Sequence, residues 1–268
     1  MDISKQALQL KKALNESRYT VAITGAGISF SAGGMNFDHE NVAELMPLAS
    51  EDTLRNEPDK YYKLLDHAFL HSMFANEPSY AHKALRSLEI NGLLQGIITT
   101  NVDCMHTIAG SENVAEIQGS LQINRCTKCG KHFDDYHIWN QGTVPRCDEC
   151  GDVIWTFPFY SGVGLHEESL KKAQDWISKA ELILIIGANG SYGNAYFNYR
   201  KRGAKIIQIN PGETNFDSYA SLNIRAGADE VFRLIETPPR SRSAAGRAAH
   251  AENTSCLSGT LSDAPGGI

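Results

Sequence analysis

Four stretches of this chain share one form: "YTVAITGAG", "LLQGIITTN", "ELILIIGANG" and "AKIIQINPG" each run through apolar, largely β-branched residues and stop at glycine, asparagine or another small residue. An apolar run of that kind, without polar alternation, suits a strand covered on both faces, as in a parallel sheet flanked by helices. Segments with helical spacing lie between the runs. "QALQLKKALNES", with Leu8, Leu10 and Leu14 among polar residues, is one of them. The expected fold is therefore α/β, a Rossmann-like doubly wound parallel sheet. Ligands of such sheets bind beyond the carboxyl ends of the strands. Chemistry is accordingly expected at Gly25–Ser29, Thr99–Asp103, Gly187–Ser191 and Asn210–Gly212.

Two stretches interrupt the pattern. Residues 35–78 read as mostly helical, and residues 120–155 carry paired cysteines; both are expected to form a smaller lobe inserted into a catalytic domain spanning 1–236. Residues 237–268 are rich in Ala, Ser, Gly and Pro and poor in large apolar residues, the composition of a disordered tail or an expression remnant.

Cys126-x2-Cys129 and Cys147-x2-Cys150 are separated by seventeen residues, and each pair is followed by a glycine, Gly130 and Gly151. A tight turn of this kind lets two thiolates face one ion, and two such knuckles complete a tetrahedral site. Four thiolates leave no open coordination position, so the expected metal is one structural zinc ion and not a catalyst. His132 and His137 are then surface residues. Cys104 reads as a small buried residue, because nothing beside it in the sequence lowers its thiol pKa.

Composition narrows the function. A formal net charge of −6 argues against an extended nucleic-acid footprint, which needs clustered Lys and Arg. No apolar run is long enough to cross a bilayer, and the amphipathic start is unlike a signal peptide, so a cytoplasmic protein with neither nucleic acid nor membrane as partner is expected. The Gly-Ala-Gly turn at Gly25, Ala26 and Gly27 follows a strand, where backbone N–H groups could cradle a diphosphate, although a plain strand-to-helix turn reads equally well. Asn101 and Asp103 are polar groups at a strand end that must find partners, either a ligand or the protein's own backbone.

In this order along the chain, "GAGIS" at Gly25–Ser29, "TNVDCMHTIAG" at Thr100–Gly110 and the paired cysteine knuckles resemble the sirtuin family of NAD-dependent enzymes over residues 5 to 235. The resemblance implies NAD, consumed as substrate, bound by Gly25, Ala26, Gly27, Ser29, Phe37, Thr100, Asn101, Asp103, Gln118, Gly187, Ala188, Asn189, Asn210, Pro211, Gly212 and Ala228. It implies catalytic roles for Asn101, Asp103 and Gln118.

Two departures matter. "GGMNFD" keeps Phe37 but has Asn36 and Asp38 where the family has an acid and an arginine, and Gln118–Gly119 replaces the family's His-Gly pair. Glutamine has no titratable proton near neutral pH, so it can orient a hydroxyl but cannot accept its proton. The pattern is similar to the macrodomain-linked, class M sirtuins. That likeness implies a protein mono-ADP-ribosyltransferase of the oxidative stress response, with a lipoylated glycine-cleavage-H-like carrier as acceptor and a functional link to a macrodomain hydrolase. The alternatives are a weak NAD-dependent protein deacylase, and a catalytically silent NAD-binding module.

Overall fold

The computed structural model describes residues 2–30, 50–156, 165–190 and 203–235. Phe37, with Asn36 and Asp38, lies outside the described residues, as do residues 35–49 of the helical insertion, Ser191, Cys256 and the tail 237–268.

Helix α1 (Ile3–Glu16) starts where the Asp2 carboxylate accepts the Ser4 N–H, a side-chain cap for an otherwise unpaired donor. It buries Gln6, Ala7, Leu10, Ala13 and Leu14, a stripe with the 3.6-residue period. Leu8 does not belong to that stripe and is 63% exposed. Leu10 and Leu14 are fully covered, worth about 2 kcal/mol each in transfer free energy.

The chain then enters strand β1 (Thr20–Thr24). Beyond it, among the described residues, come helices α2 (Glu51–Asn56), α3 (Pro58–Leu65), a π-helical turn (Asp66–Leu70) and α4 (His71–Ala75), before α5 (Tyr80–Ile90) leads into β2 (Gly96–Thr99). The short helix α6 (Met105–Ile108) and strand β3 (Val114–Glu116) follow. Strands β4 (Asn124–Cys126), β5 (His132–Phe133) and β6 (Ile154–Thr156) form a separate antiparallel sheet in the order β5-β4-β6. Helix α7 (Glu167–Lys179), strands β7 (Leu182–Ile186), β8 (Lys205–Ile209) and β9 (Leu222–Ile224), and helix α8 (Ala228–Leu234) complete the described chain.

The six-stranded sheet is parallel throughout, with strand order β3-β2-β1-β7-β8-β9. The chain builds outward from β1 in one direction and then from β7 in the other. That reversal makes the β1/β7 boundary the topological switch point, where a doubly wound sheet opens a crevice for ligands. Both faces are covered, as the unalternating strand sequences require. Along β7, Leu182, Leu184 and Ile186 face Leu10, Leu85 and Phe232, whereas Ile183 and Ile185 pack with Trp176 and Ile177 on the other face. Gly96 makes the latter face possible, since a Cβ there would lie 2.4 Å from the Trp176 ring.

A third cluster joins helices α2 to α4 with the cysteine-bearing segment: Leu54, Tyr61 and Leu65 pack with Leu121, Trp139 and Trp155. The Trp139 indole N–H donates to Asn124 Oδ1 at 2.8 Å, and its carbonyl accepts the Tyr62 hydroxyl at 3.0 Å. The indole N–H of the fully buried Trp139 and the hydroxyl of Tyr62 are thereby both satisfied. Among the described residues no helix is long and apolar enough to cross a membrane.

Candidate active site at the switch point

The turns after β1 and β7 are locked together. Gly25 N–H donates to Ile186 O at 3.1 Å and Gly27 N–H to Gly187 O at 2.9 Å. A Cβ on Gly25 would sit 2.8 Å from Gly187 O, and one on Gly27 would sit 2.8 Å from Gly187 Cα. Gly187 has φ +59°, and its own Cβ would meet Ile28 N at 2.4 Å. These glycines therefore let two backbones touch. The Gly25, Gly27, Ile28 and Ser29 amides all donate to carbonyls, as the plain strand-to-helix turn requires. Of the turn, the Ala26 N–H, at the head of a 3₁₀ turn (Ala26–Ile28), has no acceptor among the described residues.

Asn101 and Asp103 stand beside this turn. Asn101 is buried; its Nδ2 donates to Gly25 O at 3.2 Å and Ser29 Oγ at 3.4 Å, and its own N–H donates to Thr99 Oγ1 at 3.0 Å. Asp103 Oδ2 accepts the Ser29 hydroxyl at 2.7 Å, while Oδ1 accepts the Met105 N–H and so caps α6. Both residues serve internal bonds, and the Asn101 Oδ1 accepts no hydrogen bond from the described residues. Thr100 N–H continues the ladder to Thr24 O.

Beneath them lie two histidines that are far apart in the chain. His106 Nε2 and Thr24 Oγ1 share a 2.9 Å hydrogen bond, His82 Nδ1 and Ser79 Oγ one of 2.8 Å, and the rings are 4.6 Å apart. Burial pushes His106 well below its ordinary pKa, with His82 adding to the shift. Burial also lowers His82, against the opposing pull of Asp103 and Asp229. Cys104 is buried with φ 56°. Burial, and then the nearby Glu116 and Asp103 charges, push its thiol well up, which removes it as a nucleophile.

Gln118 occupies a turn at the end of β3, whose strand pairs with β2 through Ile97 and Val114. Gly119 N–H donates to Glu116 O at 3.0 Å, which closes residues 116–119 as a β-turn with Gly119 at φ +80°. Ile117 N–H donates to Thr99 O, which ties the turn to the strand that delivers Asn101. The Gln118 side chain is half-buried and has no hydrogen-bond partner among the described residues. Below it Glu116, 8% exposed, accepts the Ser120 hydroxyl at 2.5 Å. Burial raises the Glu116 pKa from its ordinary 4.5 to about 7; Asp103 adds to the rise, and Ser120 and Lys172 oppose it. Sequence reasoning missed Glu116 and Ser120. Their signal was a lone carboxylate inside the apolar run "VAEI" with a hydroxyl four residues later.

The remaining expected ligand residues follow β7 and β8. Asn210 Nδ2 donates to Ala188 O at 3.4 Å, and its Oδ1 accepts the Gly212 N–H at 3.1 Å. Asn189 O accepts the Asn215 N–H. Pro211, Gly212 and Asn189 are exposed. Ala228 opens α8 and packs partly buried on the large core, and the next residue, Asp229, accepts the Ala81 N–H of α5 at 2.8 Å.

The four cysteines form the second candidate site. The Sγ atoms of Cys126, Cys129, Cys147 and Cys150 lie within 4.8 Å of one another. The two knuckles repeat one geometry: Gly130 N–H to Cys126 O at 3.1 Å and Gly151 N–H to Cys147 O at 2.9 Å, with φ +75° and +73° at the glycines. Lys128 N–H also donates to Cys126 Sγ. Four converging sulfurs with no carboxylate or imidazole among them fit a tetrahedral, structural zinc ion. His132 and His137 are exposed.

The Sir2 family model matches residues 25–192. NAD-dependent protein deacylase 1 of Archaeoglobus fulgidus is 33% identical over 84% of this chain and 94% of its own length. The NAD-dependent protein deacetylase of Thermotoga maritima is 30% identical over 83% of this chain and 94% of its own. Among solved structures, a Sir2 homologue in complex with NAD aligns with TM-score 0.73 at 31% identity, covering 85% of this chain and 92% of that one. Sir2 bound to acetylated peptide aligns with TM-score 0.70 at 30% identity, covering 85% and 96%. The switch-point turns, the amide cluster and the cysteine module are thus parts of one inherited architecture, and the chain belongs to the Sir2 family.

Proposed function

We propose that this protein binds NAD at the switch point, cleaves its nicotinamide–ribose bond and transfers the ADP-ribose unit to a protein acceptor. The relatives support the NAD-dependent part. The observation that carries the transfer is Gln118: the side chain at the end of β3 has an amide and no proton acceptor, so no general base stands there to activate a ribose hydroxyl. In the proposed reaction the glycosidic bond breaks with its electron pair leaving on nicotinamide. A nucleophile of the acceptor forms a bond to the ribose carbon and releases its proton to solvent water. Asn101, held by Gly25 O and Ser29 Oγ, presents Oδ1 to the substrate, and Asp103 fixes Ser29. Gln118 orients the ribose hydroxyls or the acceptor.

The likeness to macrodomain-linked sirtuins favours a lipoylated carrier as acceptor, with a macrodomain hydrolase reversing the modification. A second reading, NAD-dependent deacylation, is favoured by the names of the relatives at about four-fifths coverage. Intact-mass spectrometry separates the two. A lipoylated carrier protein and an acetylated peptide are each incubated with the protein and NAD. One added ADP-ribose unit on the carrier, with the peptide still acetylated, is the expected result. Loss of acetyl without any gain on the carrier would overturn it. Asn101→Ala is expected to abolish nicotinamide release in either case.

A further inference from the structure

With glutamine at position 118, the site has lost the residue that would ordinarily give it a pH-dependence near neutrality. The same turn nevertheless contains a buried carboxyl group that the mechanism above does not use. Glu116 Oε2 accepts the Ser120 hydroxyl, and Ser120 Oγ in turn accepts the Gln122 N–H at 3.2 Å. Together with the Gly119 N–H on Glu116 O, these bonds clasp the loop on both sides of Gln118. The clasp extends further, because Thr156 Oγ1 of β6 donates to Ser120 O at 2.8 Å. Gln118 itself, without a hydrogen bond to the described residues, depends on this loop for its position.

We propose that Glu116 is the positioning residue for Gln118, and that its ionisation sets how firmly the turn is held and hence how the reaction responds to pH. The inference rests on the reading of Gln118 given above. The 2.5 Å separation falls in the range for a hydroxyl donating to an ionised carboxylate, a stronger bond than one to the neutral acid. The ionised form is therefore the one that closes the clasp. The groups facing Glu116 are the Asp103 carboxylate and the Cys104 thiol from the β2–α6 turn, the Lys172 ammonium of α7, which donates to Val114 O at 3.2 Å, and the Ser120 hydroxyl. Asp103 opposes ionisation, and Lys172 and Ser120 favour it.

The test follows two readouts in the full-length, zinc-loaded protein. First, backbone amide shifts of Gly119 and Gln122 are followed by NMR from pH 5.5 to 9 without NAD. Both amides are expected to titrate together with a midpoint near 7 in the wild type and to stay flat in Glu116→Gln. Second, kcat and KM for nicotinamide release are measured over the same range. For a midpoint near 7 the ionised fraction rises about tenfold between pH 6 and pH 8, so kcat should rise by about that factor in the wild type and lose the slope in Glu116→Gln. Ser120→Ala keeps the carboxyl group but removes a bond that favours its ionisation, so the midpoint should move upward and kcat should fall more than KM changes. Amides that do not titrate, or identical pH profiles for wild type and Glu116→Gln, overturn the proposal. If the wild type releases no nicotinamide at any pH, the functional reading fails, and the amide titration alone decides whether Glu116 governs the turn.

Discussion

The two sides of the candidate site are built by opposite means. At the switch point, Gly25, Gly27 and Gly187 hold two turns together by backbone contact alone, with Cβ-sized gaps of 2.4 to 2.8 Å that no side chain could enter. At the end of β3, the turn carrying Gln118 is held by side chains: Glu116, Ser120 and Thr156. Backbone contact is indifferent to pH and intolerant of any added atom. A side-chain clasp accepts substitution, and it inherits the protonation state of its members. One side should therefore fail through sterics and the other through chemistry.

The largest expected effect is Gly187→Ala. The new methyl group would meet Ile28 N at 2.4 Å and Gly27 C at 2.5 Å, both backbone atoms that cannot rotate away, and alanine would also have to adopt φ +59°. Overpacking and a left-handed backbone together should cost about 3 kcal/mol or more. Denaturant melts of the variant would show this as a lowered midpoint with unchanged slope. A melt identical to wild type would mean that the two turns do not in fact touch in solution.

Removing zinc should strike the other side. A zinc ion held by the four thiolates would link knuckles whose sulfurs otherwise only approach one another, and structural zinc contributes directly to folding. Chelation at neutral pH is expected to remove hydrogen-exchange protection from strands β4 and β6. The loss should extend to the turn 116–120, because Thr156 is the clasp's anchor. Strands β1 and β7 should stay protected. Uniform loss of protection would show that the two sides are one cooperative unit.

Stability against pH sharpens the contrast further. Unfolded, Glu116 releases its proton near the ordinary 4.5; folded, near 7. Between those values the folded state binds more protons than the unfolded one, so stability falls as pH rises through that window, by about 3 kcal/mol for a group this buried. His82 and His106 act in the opposite sense. Their folded pKa values are depressed, so their contribution is present above about 6.5 and is lost as pH falls below it. The difference between wild-type and Glu116→Gln stability curves isolates the carboxyl term. That difference should change between pH 4.5 and pH 7 and be flat above pH 8. The same ionisation that tightens the turn thus lowers global stability, a pattern suited to a residue retained for its site.

How far the sequence revealed this is itself uneven. The four apolar runs ending in small residues became β1, β2, β7 and β8, because a strand covered on both faces has no other way to be written. Strands β3 and β9 were not foreseen: they are three residues long and partly exposed at the sheet's edges, too short for periodicity to register. The cysteine spacing predicted a four-sulfur cluster, since knuckle geometry is local. The sequence left the turn at Gly25 and Gly27 open between a diphosphate cradle and a plain turn, because the carbonyls that take their amides lie more than 150 residues further on, at Ile186 and Gly187. Glu116 escaped notice for a related reason. It lies beside Asp103 and Cys104 of the β2–α6 turn, and nothing within its own strand announces them. Of the three leucines that marked α1 as a helix, Leu10 and Leu14 are buried, whereas the helical position of Leu8 turns it to solvent.

Gln118→His is expected to have the smallest effect on folding and the most informative effect on chemistry. The side chain is half-buried and bonds to no described residue, so the exchange should alter stability by about 0.5 kcal/mol or less. An imidazole there restores a proton acceptor at the end of β3, a change typically worth about 10² to 10⁴ in rate where general-base help is missing. Mass spectrometry of an acetylated peptide with NAD should then show faster deacetylation than the wild type, and on the proposed reading any transfer to the carrier should decline. Because stability hardly moves, a gain of deacetylation would assign the reaction's outcome to one side chain on a turn held by its neighbours. If the variant folds normally and still leaves the acetyl group in place, the turn itself must hold position 118 away from the ribose. Repeating the measurement with Ser120→Ala in the same background would then show whether the clasp keeps it there.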